Sequence, residues 1–308
     1  MGVGFVQQER AVLAHRLPQA EVRTVRVAAG SARALVAGTG PDVVLLPGGS
    51  MPAAAWAPLM AELDGFRLTA LELPGFCGPS DALPLRPETV RTEAVRFVER
   101  SLNTLGVERA SLVACSMGAL WSFWFALEHP ERVRSIVTMG CPALLAGTSA
   151  PLPMRLMAVP ALGRLMLRTA PPSARQVDRA LAGAGVDLSA VPDVRDLVVE
   201  LERLPGYPDA WLGLLHAVLR LTGPRPGVVL SETELAAVRQ PVLMLWGEGD
   251  PFGPVAAGER AARVLPEAQF AVVPGGHAPW LAPGGGAARR AADFLQRTTS
   301  RAGDAEVG

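Results

Sequence analysis

The stretch LVACSMGA, residues 112–119, lies where a run of apolar residues gives way to a helical pattern. The apolar run predicts a buried strand, and MGALWSFWFALEHP, residues 117–130, predicts an apolar helix directly after it. Ser116 stands at this junction, with the small residues Ala114 and Gly118 two positions before and after it. A tight strand-to-helix turn that exposes a nucleophilic hydroxyl needs small residues at these two positions. Because this short pattern also occurs by chance, its significance depends on the rest of the chain.

Apolar runs of this kind alternate with helical stretches along most of the chain. Continuous apolar runs are typical of strands buried on both faces, and strand–helix–strand alternation indicates parallel pairing with right-handed crossovers. The other runs are DVVLLPG (42–48), RLTALELPG (67–75), VRSIVTMG (133–140), PVLMLWG (241–247) and AQFAVVPG (268–275). Two earlier runs, residues 21–29 and 32–38, predict an antiparallel hairpin at the sheet edge. The predicted fold class is therefore α/β, with a mostly parallel central sheet flanked by helices.

The alternation stops after Gly140 and resumes at Pro241. The residues between them are rich in Pro, Leu, Met and Ala, and they predict helices without a convincing strand. We therefore expect a core in two parts, residues 1–142 and 241–308, with residues 143–240 inserted as a helical lid.

The first part of the insert carries more Met and Leu than a helix needs for one core-facing stripe. These side chains either pack on the core or line an adaptable apolar pocket. Met154 and Met157 are the candidates for substrate contact within this stretch. Trp56 and Trp211 are candidates for the border of the same pocket.

Carboxylate and imidazole side chains follow the last two predicted strands. Asp250 and Glu248 lie directly after one apolar run, and His277 lies in a Gly-rich loop after the last one. Open α/β folds place their sites at the carboxyl ends of the strands, where such side chains can meet. The order Ser116, Asp250, His277 along the chain is the order of a nucleophile-elbow triad, with Glu248 as the alternative acid.

Three further segments complete a resemblance to the α/β-hydrolase superfamily. They are LLPGGS (45–50), ELPGFCGPSD (72–81) and HPERV (129–133). The chain departs from the common family pattern at Pro47, where the family usually has His, and at Glu72, where it has Asp. Ala114 also stands where the most frequent elbow has Gly.

The resemblance implies a role for each site residue. Ser116 is the expected nucleophile, His277 the general base, and Asp250 the carboxylate that fixes the imidazole tautomer. The backbone N–H of Met117, together with that of Gly49 or Ser50, is expected to form the oxyanion hole.

Composition excludes several other function classes. All 29 basic residues of the 308-residue chain are Arg, so Schiff-base chemistry through Lys is excluded. The net charge is zero and no basic run occurs, so nucleic acid is not an expected partner. The four His show no zinc-binding spacing, and no metal or organic cofactor is expected. Three scattered Cys, no export signal and no uninterrupted apolar span favour a soluble cytoplasmic protein.

The function predicted from these features is a serine hydrolase that acts on a small apolar ester or a related carboxylic derivative. Thioesterase, lactonase and carbon–carbon bond hydrolase activities through the same triad stay open, because the fold does not choose between them. An epoxide or haloalkane hydrolase is disfavoured, since those groups use a carboxylate nucleophile where this chain has Ser116. The alternative from another class is a ligand-binding or cyclisation scaffold that leaves the triad unused. The oligomeric state is left open.

Overall fold

The computed structural model describes residues 2–27, 30–77, 85–282, 284 and 286–306. The strands are β1 (Glu21–Val27), β2 (Gly30–Ala37), β3 (Asp42–Leu46), β4 (Arg67–Leu71), β5 (Ala110–Cys115), β6 (Val133–Met139), β7 (Leu219–Arg220), β8 (Gly223–Pro224), β9 (Val242–Gly247) and β10 (Ala268–Val273). The helices are α1 (Val3–Arg16), α2 (Ala57–Met60), α3 (Val90–Leu105), α4 (Met117–Glu128), α5 (Leu152–Met157), α6 (Pro160–Thr169), α7 (Ala174–Gly183), α8 (Pro192–Glu202), α9 (Tyr207–Val218), α10 (Glu232–Ala237), α11 (Val255–Val264) and α12 (Ala287–Glu306).

Eight strands form one sheet in the order β1-β2-β4-β3-β5-β6-β9-β10. The strands from β4 to β10 in this order pair in parallel, whereas β1 and β2 pair antiparallel with their neighbours. The predicted α/β class and the hairpin at the sheet edge are confirmed. Because parallel strands point the same way, the loops after β3, β5, β9 and β10 meet at one edge of the sheet.

The last strand departs from the sequence prediction. The run 268–275 was expected to be buried on both faces, but most of β10 is only partly buried and Val272 is 44% exposed. The reason is its position, since β10 is the outermost strand and pairs with β9 on one side only. The central strand β5, by contrast, is buried along its whole length.

Residues 143–240, called the insert below, hold helices α5 to α10 between β6 and β9. The insert also contains the short antiparallel ribbon β7–β8, which the sequence prediction did not include. Helix α1, also not predicted, packs against α8 of the insert. Arg16 at the end of α1 donates from Nε and Nη2 to the two carboxylate oxygens of Asp193, at 2.6 and 2.7 Å. Within the described residues, no helix combines the length and apolar character that a bilayer crossing requires.

Candidate active site

Ser116 occupies a strained turn between a strand and a helix. Strand β5 ends at Cys115 and helix α4 begins at Met117, so Ser116 alone makes the turn. Its backbone lies at φ 50° and ψ −115°, a conformation that non-glycine residues rarely adopt. Such strain persists only where the surrounding structure enforces it, and it is concentrated at functional sites.

Close packing explains the small residues around this turn. A Cβ atom on Gly118 would lie 2.2 Å from the carbonyl oxygen of Leu46 at the end of β3. A Cβ atom on Gly48 would lie 3.2 Å from the Cβ of Ser116 itself. Ala114 is fully buried on the central strand β5, which pairs with β3 and β6 at this residue, so the fold accommodates its methyl group. The elbow therefore requires Gly at 118 but tolerates Ala at 114.

His277 and Asp250 form a buried hydrogen-bonded pair at the same edge of the sheet. The Nδ1 atom of His277 lies 2.9 Å from Oδ2 and 3.1 Å from Oδ1 of Asp250. The backbone N–H of Cys141 donates to Oδ2 at 2.7 Å, and that of Phe252 donates to Oδ1 at 2.9 Å. These donors satisfy both carboxylate oxygens and fix their orientation towards the imidazole. The competing acid, Glu248, is exposed to solvent.

The other ring nitrogen of His277 is the one that the predicted triad would pair with Ser116. Nε2 is buried and has no hydrogen-bond partner among the described residues. A hydrogen bond from Ser116 to this nitrogen was expected, and this conformation does not form it. Both side chains nevertheless line the same cavity. Catalytic hydrogen bonds of this kind are often closed only when substrate is bound.

Two further contacts hold the imidazole in place. The ring of Phe252 stacks on that of His277, with the centroids 3.9 Å apart. The backbone N–H of His277 donates to the carbonyl oxygen of Gly185, which belongs to the insert, at 2.9 Å. Gly185 has φ +70°, and a Cβ atom there would lie 2.5 Å from Cδ of Pro251. The insert thus contacts the backbone of the predicted base directly.

The predicted oxyanion loop lies between the elbow and the insert. Gly49, Ser50 and Met117 all line the cavity beside Ser116. A Cβ atom on Gly49 would meet the Trp211 ring at 2.7 Å, so the loop can approach helix α9 only without a side chain there. Met117 is the first residue of α4, where backbone N–H groups have no partner within the helix.

The cavity has a volume of about 380 Å³ and mainly apolar walls. Three of the four predicted substrate contacts, Met154, Met157 and Trp211, line it. Trp56 is not among the described lining residues, because it is fully buried and stacks on Trp280, which does line the cavity, at 4.1 Å.

Comparison with known proteins identifies the family. The sequence model of the alpha/beta hydrolase fold matches residues 41–281. This chain belongs to that family. The 2-hydroxy-6-oxononadienedioate/2-hydroxy-6-oxononatrienedioate hydrolase of Paraburkholderia phymatum is 30% identical over 241 residues, which cover 76% of this chain and 80% of that protein. The 2-hydroxy-6-oxo-6-phenylhexa-2,4-dienoate hydrolase of Burkholderia cepacia is 29% identical over 77% of this chain and 81% of that protein.

A solved structure supports the same fold. The carboxylesterase CesB of Bacillus subtilis superposes with a TM-score of 0.74 at 22% identity, covering 94% of this chain and 96% of the esterase. The predicted family and its hydrolase class are therefore confirmed by the family model and the two hydrolase relatives, and the esterase structure supports the fold.

In this α/β hydrolase, sequence reasoning missed two polar residues of the cavity wall. Tyr207 at the start of α9 and Glu202 at the end of α8 both line the cavity. The hydroxyl groups of Tyr207 and Ser50 are hydrogen-bonded at 2.6 Å, although 157 residues separate them in sequence. No local pattern links such positions; the one available signal is that Tyr207 is the single Tyr of the chain.

The family-like segment after β4 contains a buried acid. Glu72 is 2% exposed, and burial raises the pKa of its carboxyl group to about 7, with the charge of Glu9 adding to the effect and that of Arg33 opposing it. The rest of that segment, residues 78–81, lies outside the described residues.

The cysteines near the site are buried thiols. Burial raises the pKa values of Cys77, Cys115 and Cys141 well above the ordinary range. The Cys115 thiol, which also borders the cavity, donates to the carbonyl oxygen of His277 at 3.5 Å. This bond and its burial make Cys115 a packing residue beside the elbow. In the described part of the chain, no three His, Cys, Asp or Glu side chains converge as metal ligands would.

Proposed function

We propose that this chain is a serine hydrolase that transfers the acyl group of an apolar ester, or of a related carboxylic derivative, to water. The observation that carries the proposal is the shared cavity. Ser116, on its strained turn, lines the same apolar cavity as His277. The Nδ1 atom of His277 is hydrogen-bonded to Asp250. These are residue types that nucleophilic acyl transfer uses, in the chain order expected for this fold.

Each residue has a defined role in the proposed reaction. Ser116 Oγ attacks the substrate carbonyl carbon while the unpartnered Nε2 of His277 takes its proton. The backbone N–H of Met117, with that of Gly49 or Ser50, stabilises the oxyanion of the tetrahedral intermediate. His277 then protonates the leaving group, and a water molecule that it activates hydrolyses the acyl-enzyme. Asp250 stays ionised throughout and stabilises the imidazolium.

The cavity walls favour an apolar substrate. Met154, Met157 and Trp211 are the proposed substrate contacts, and the insert that carries them is the proposed lid, residues 143–240. Among the described lining residues, Arg179 carries the one permanent positive charge and is exposed. A small uncharged acyl group therefore fits these walls better than an anion. The three buried free cysteines fit a reducing cytoplasm.

A second candidate is carbon–carbon bond hydrolysis by the same residues. Its support is the similarity to the two dienoate hydrolases, which extends over about three quarters of the chain. The substrates in those names carry carboxylates, for which this cavity offers only Arg179 as a permanently charged partner.

The test combines covalent labelling with a substrate panel. A fluorophosphonate probe should add once to the folded protein, and the adduct should be absent after Ser116→Ala. p-Nitrophenyl esters of short to long acyl chains are compared with a 2-hydroxy-6-oxo-dienoate. Faster turnover of an ester supports the first candidate, and faster turnover of the dienoate supports the second. No adduct and no turnover by the folded protein would overturn both and leave the non-hydrolytic scaffold.

A further inference from the structure

A line of three polar side chains crosses the apolar wall of the cavity. The hydroxyl groups of Ser50 and Tyr207 are 2.6 Å apart, and the Tyr207 hydroxyl lies 3.4 Å from Oε1 of Glu202. All three residues line the cavity. Glu202 is the one acidic residue among the described lining residues.

Tyr207 is held firmly in this line. Its side chain is 4% exposed, and its ring makes an edge contact with Phe76 at 6.0 Å between centroids. Burial and the nearby carboxylate of Glu202 raise the pKa of the Tyr207 hydroxyl, so it stays protonated and can donate to that carboxylate. A fixed donor of this kind orients Glu202 towards the cavity.

The carboxylate of Glu202 receives few hydrogen bonds from the protein. The long contact with Tyr207 is its one hydrogen bond among the described residues, and burial raises the pKa of its carboxyl group. A cation was available next to it in sequence, but Arg203 bonds to Glu200 instead, at 2.5 Å. Carboxylates that lose water normally gain a cation or several donors. Glu202 is only partly buried, so solvent can supply the remaining donors in the free protein, and a ligand can take the place of that solvent because Glu202 borders the cavity.

We propose that Glu202, oriented by Tyr207, binds a hydrogen-bond-donating group of the substrate, either a hydroxyl or an ammonium group. The inference rests on the proposed function and narrows its substrate class to apolar carboxylic derivatives that carry one such group. The apolar walls hold the hydrocarbon part of the substrate, while the carboxylate selects the polar group.

Binding can be measured without turnover in the Ser116→Ala protein. The ligands are anilides of ω-hydroxy and ω-amino fatty acids of several chain lengths, each paired with the anilide that has a methyl group instead. We expect the hydroxyl ligand of the best length to bind several-fold more tightly than its methyl partner, and the ammonium ligand about tenfold. Equal affinities at every chain length would overturn the inference.

Variants of Glu202 in the same background separate its charge from its hydrogen bonding. Glu202→Gln should abolish the preference for ammonium but keep that for hydroxyl, because an amide oxygen still accepts a hydrogen bond. Glu202→Leu should abolish both preferences. Asp196→Asn makes the matching acid-to-amide change on the same helix, at an exposed position outside the cavity lining, and it should leave both preferences as they were.

The outcomes remain distinct from those of the labelling test. If both preferences survive Glu202→Leu, the subsite is wrong even when Ser116 is labelled and esters are hydrolysed. If the preferences depend on Glu202 but the wild type takes no adduct, the subsite stands and the hydrolase proposal fails.

Discussion

Oδ2 of Asp250 lies 2.9 Å from Nδ1 of His277 and also accepts the backbone N–H of Cys141 at 2.7 Å. The carboxylate is therefore held between a main-chain donor that cannot rotate and the imidazole that it orients. This arrangement leaves Nε2 as the nitrogen that would accept the proton in the proposed mechanism.

Replacing this carboxylate tests its role. In Asp250→Asn, an amide N–H group would face either the imidazole or a backbone N–H, so the correct tautomer is lost. We expect kcat to fall by roughly 10⁴ with the fold retained, measured by steady-state kinetics and circular dichroism. Glu248→Gln is the control and should keep the wild-type rate. A fully active Asp250→Asn enzyme would transfer the acid role to Glu248.

The contact between Gly118 and Leu46 predicts a stability effect at the elbow. In Gly118→Ala, the added methyl group collides with a backbone carbonyl that cannot move freely, so the free energy of unfolding should fall by roughly 1–3 kcal/mol. Gly213→Ala in helix α9 places a Cβ atom where nothing lies within 4 Å, so its free energy of unfolding should rise by roughly 0.5–1 kcal/mol. Urea unfolding measures both changes, and equal effects would contradict the proposed packing.

The buried carboxyl group of Glu72 predicts a pH-dependent stability. Its pKa is about 7 in the folded protein against an ordinary 4.5, so the folded state holds a proton that the unfolded state releases first. The stability should therefore fall as the pH rises from 4.5 to about 7 and then level off. Glu72→Gln removes this titration. The free energy of unfolding of the variant, relative to that of the wild type, should therefore rise by about 3 kcal/mol across that pH range. A difference that does not change with pH would show that Glu72 ionises normally.

The buried thiols predict resistance to thiol reagents. Cys77, Cys115 and Cys141 are each at most 3% exposed, and their raised pKa values keep them protonated. An aromatic disulfide reagent should label none of them in the folded protein and all three after unfolding in urea. Hydrolysis should survive the treatment. Rapid labelling of Cys115 with loss of activity would make it a rival to Ser116.

Much of the architecture could be predicted because a buried strand can be recognised from its own short run of apolar residues. The runs that became β3, β5, β6 and β9 are mainly apolar, and the structure buries nearly all of their residues as expected. Parallel strands then bring their following loops to one edge, which is why the strand-end positions of Asp250 and His277, together with the family resemblance, were enough to pair them.

The unpredicted features depend on tertiary position. The partial exposure of β10 follows from its place at the edge of the sheet, which its apolar residues do not encode. Trp56 was expected at the pocket border, but Trp280 covers that side of it. The pairing of Ser50 with Tyr207 joins the oxyanion loop to the insert, and only the folded chain brings these two positions together.

The hydrogen bond from His277 N–H to the Gly185 carbonyl limits how the insert could be redesigned. A graft that replaced residues 143–240 with helices from another protein would change the cavity walls freely. It would still have to supply one main-chain acceptor, on a residue without a side chain, at the position of Gly185. Chimeras that lack this acceptor should fold around a misaligned imidazole, so an exchange of insert segments has to keep this glycine while it changes the cavity walls on either side of it.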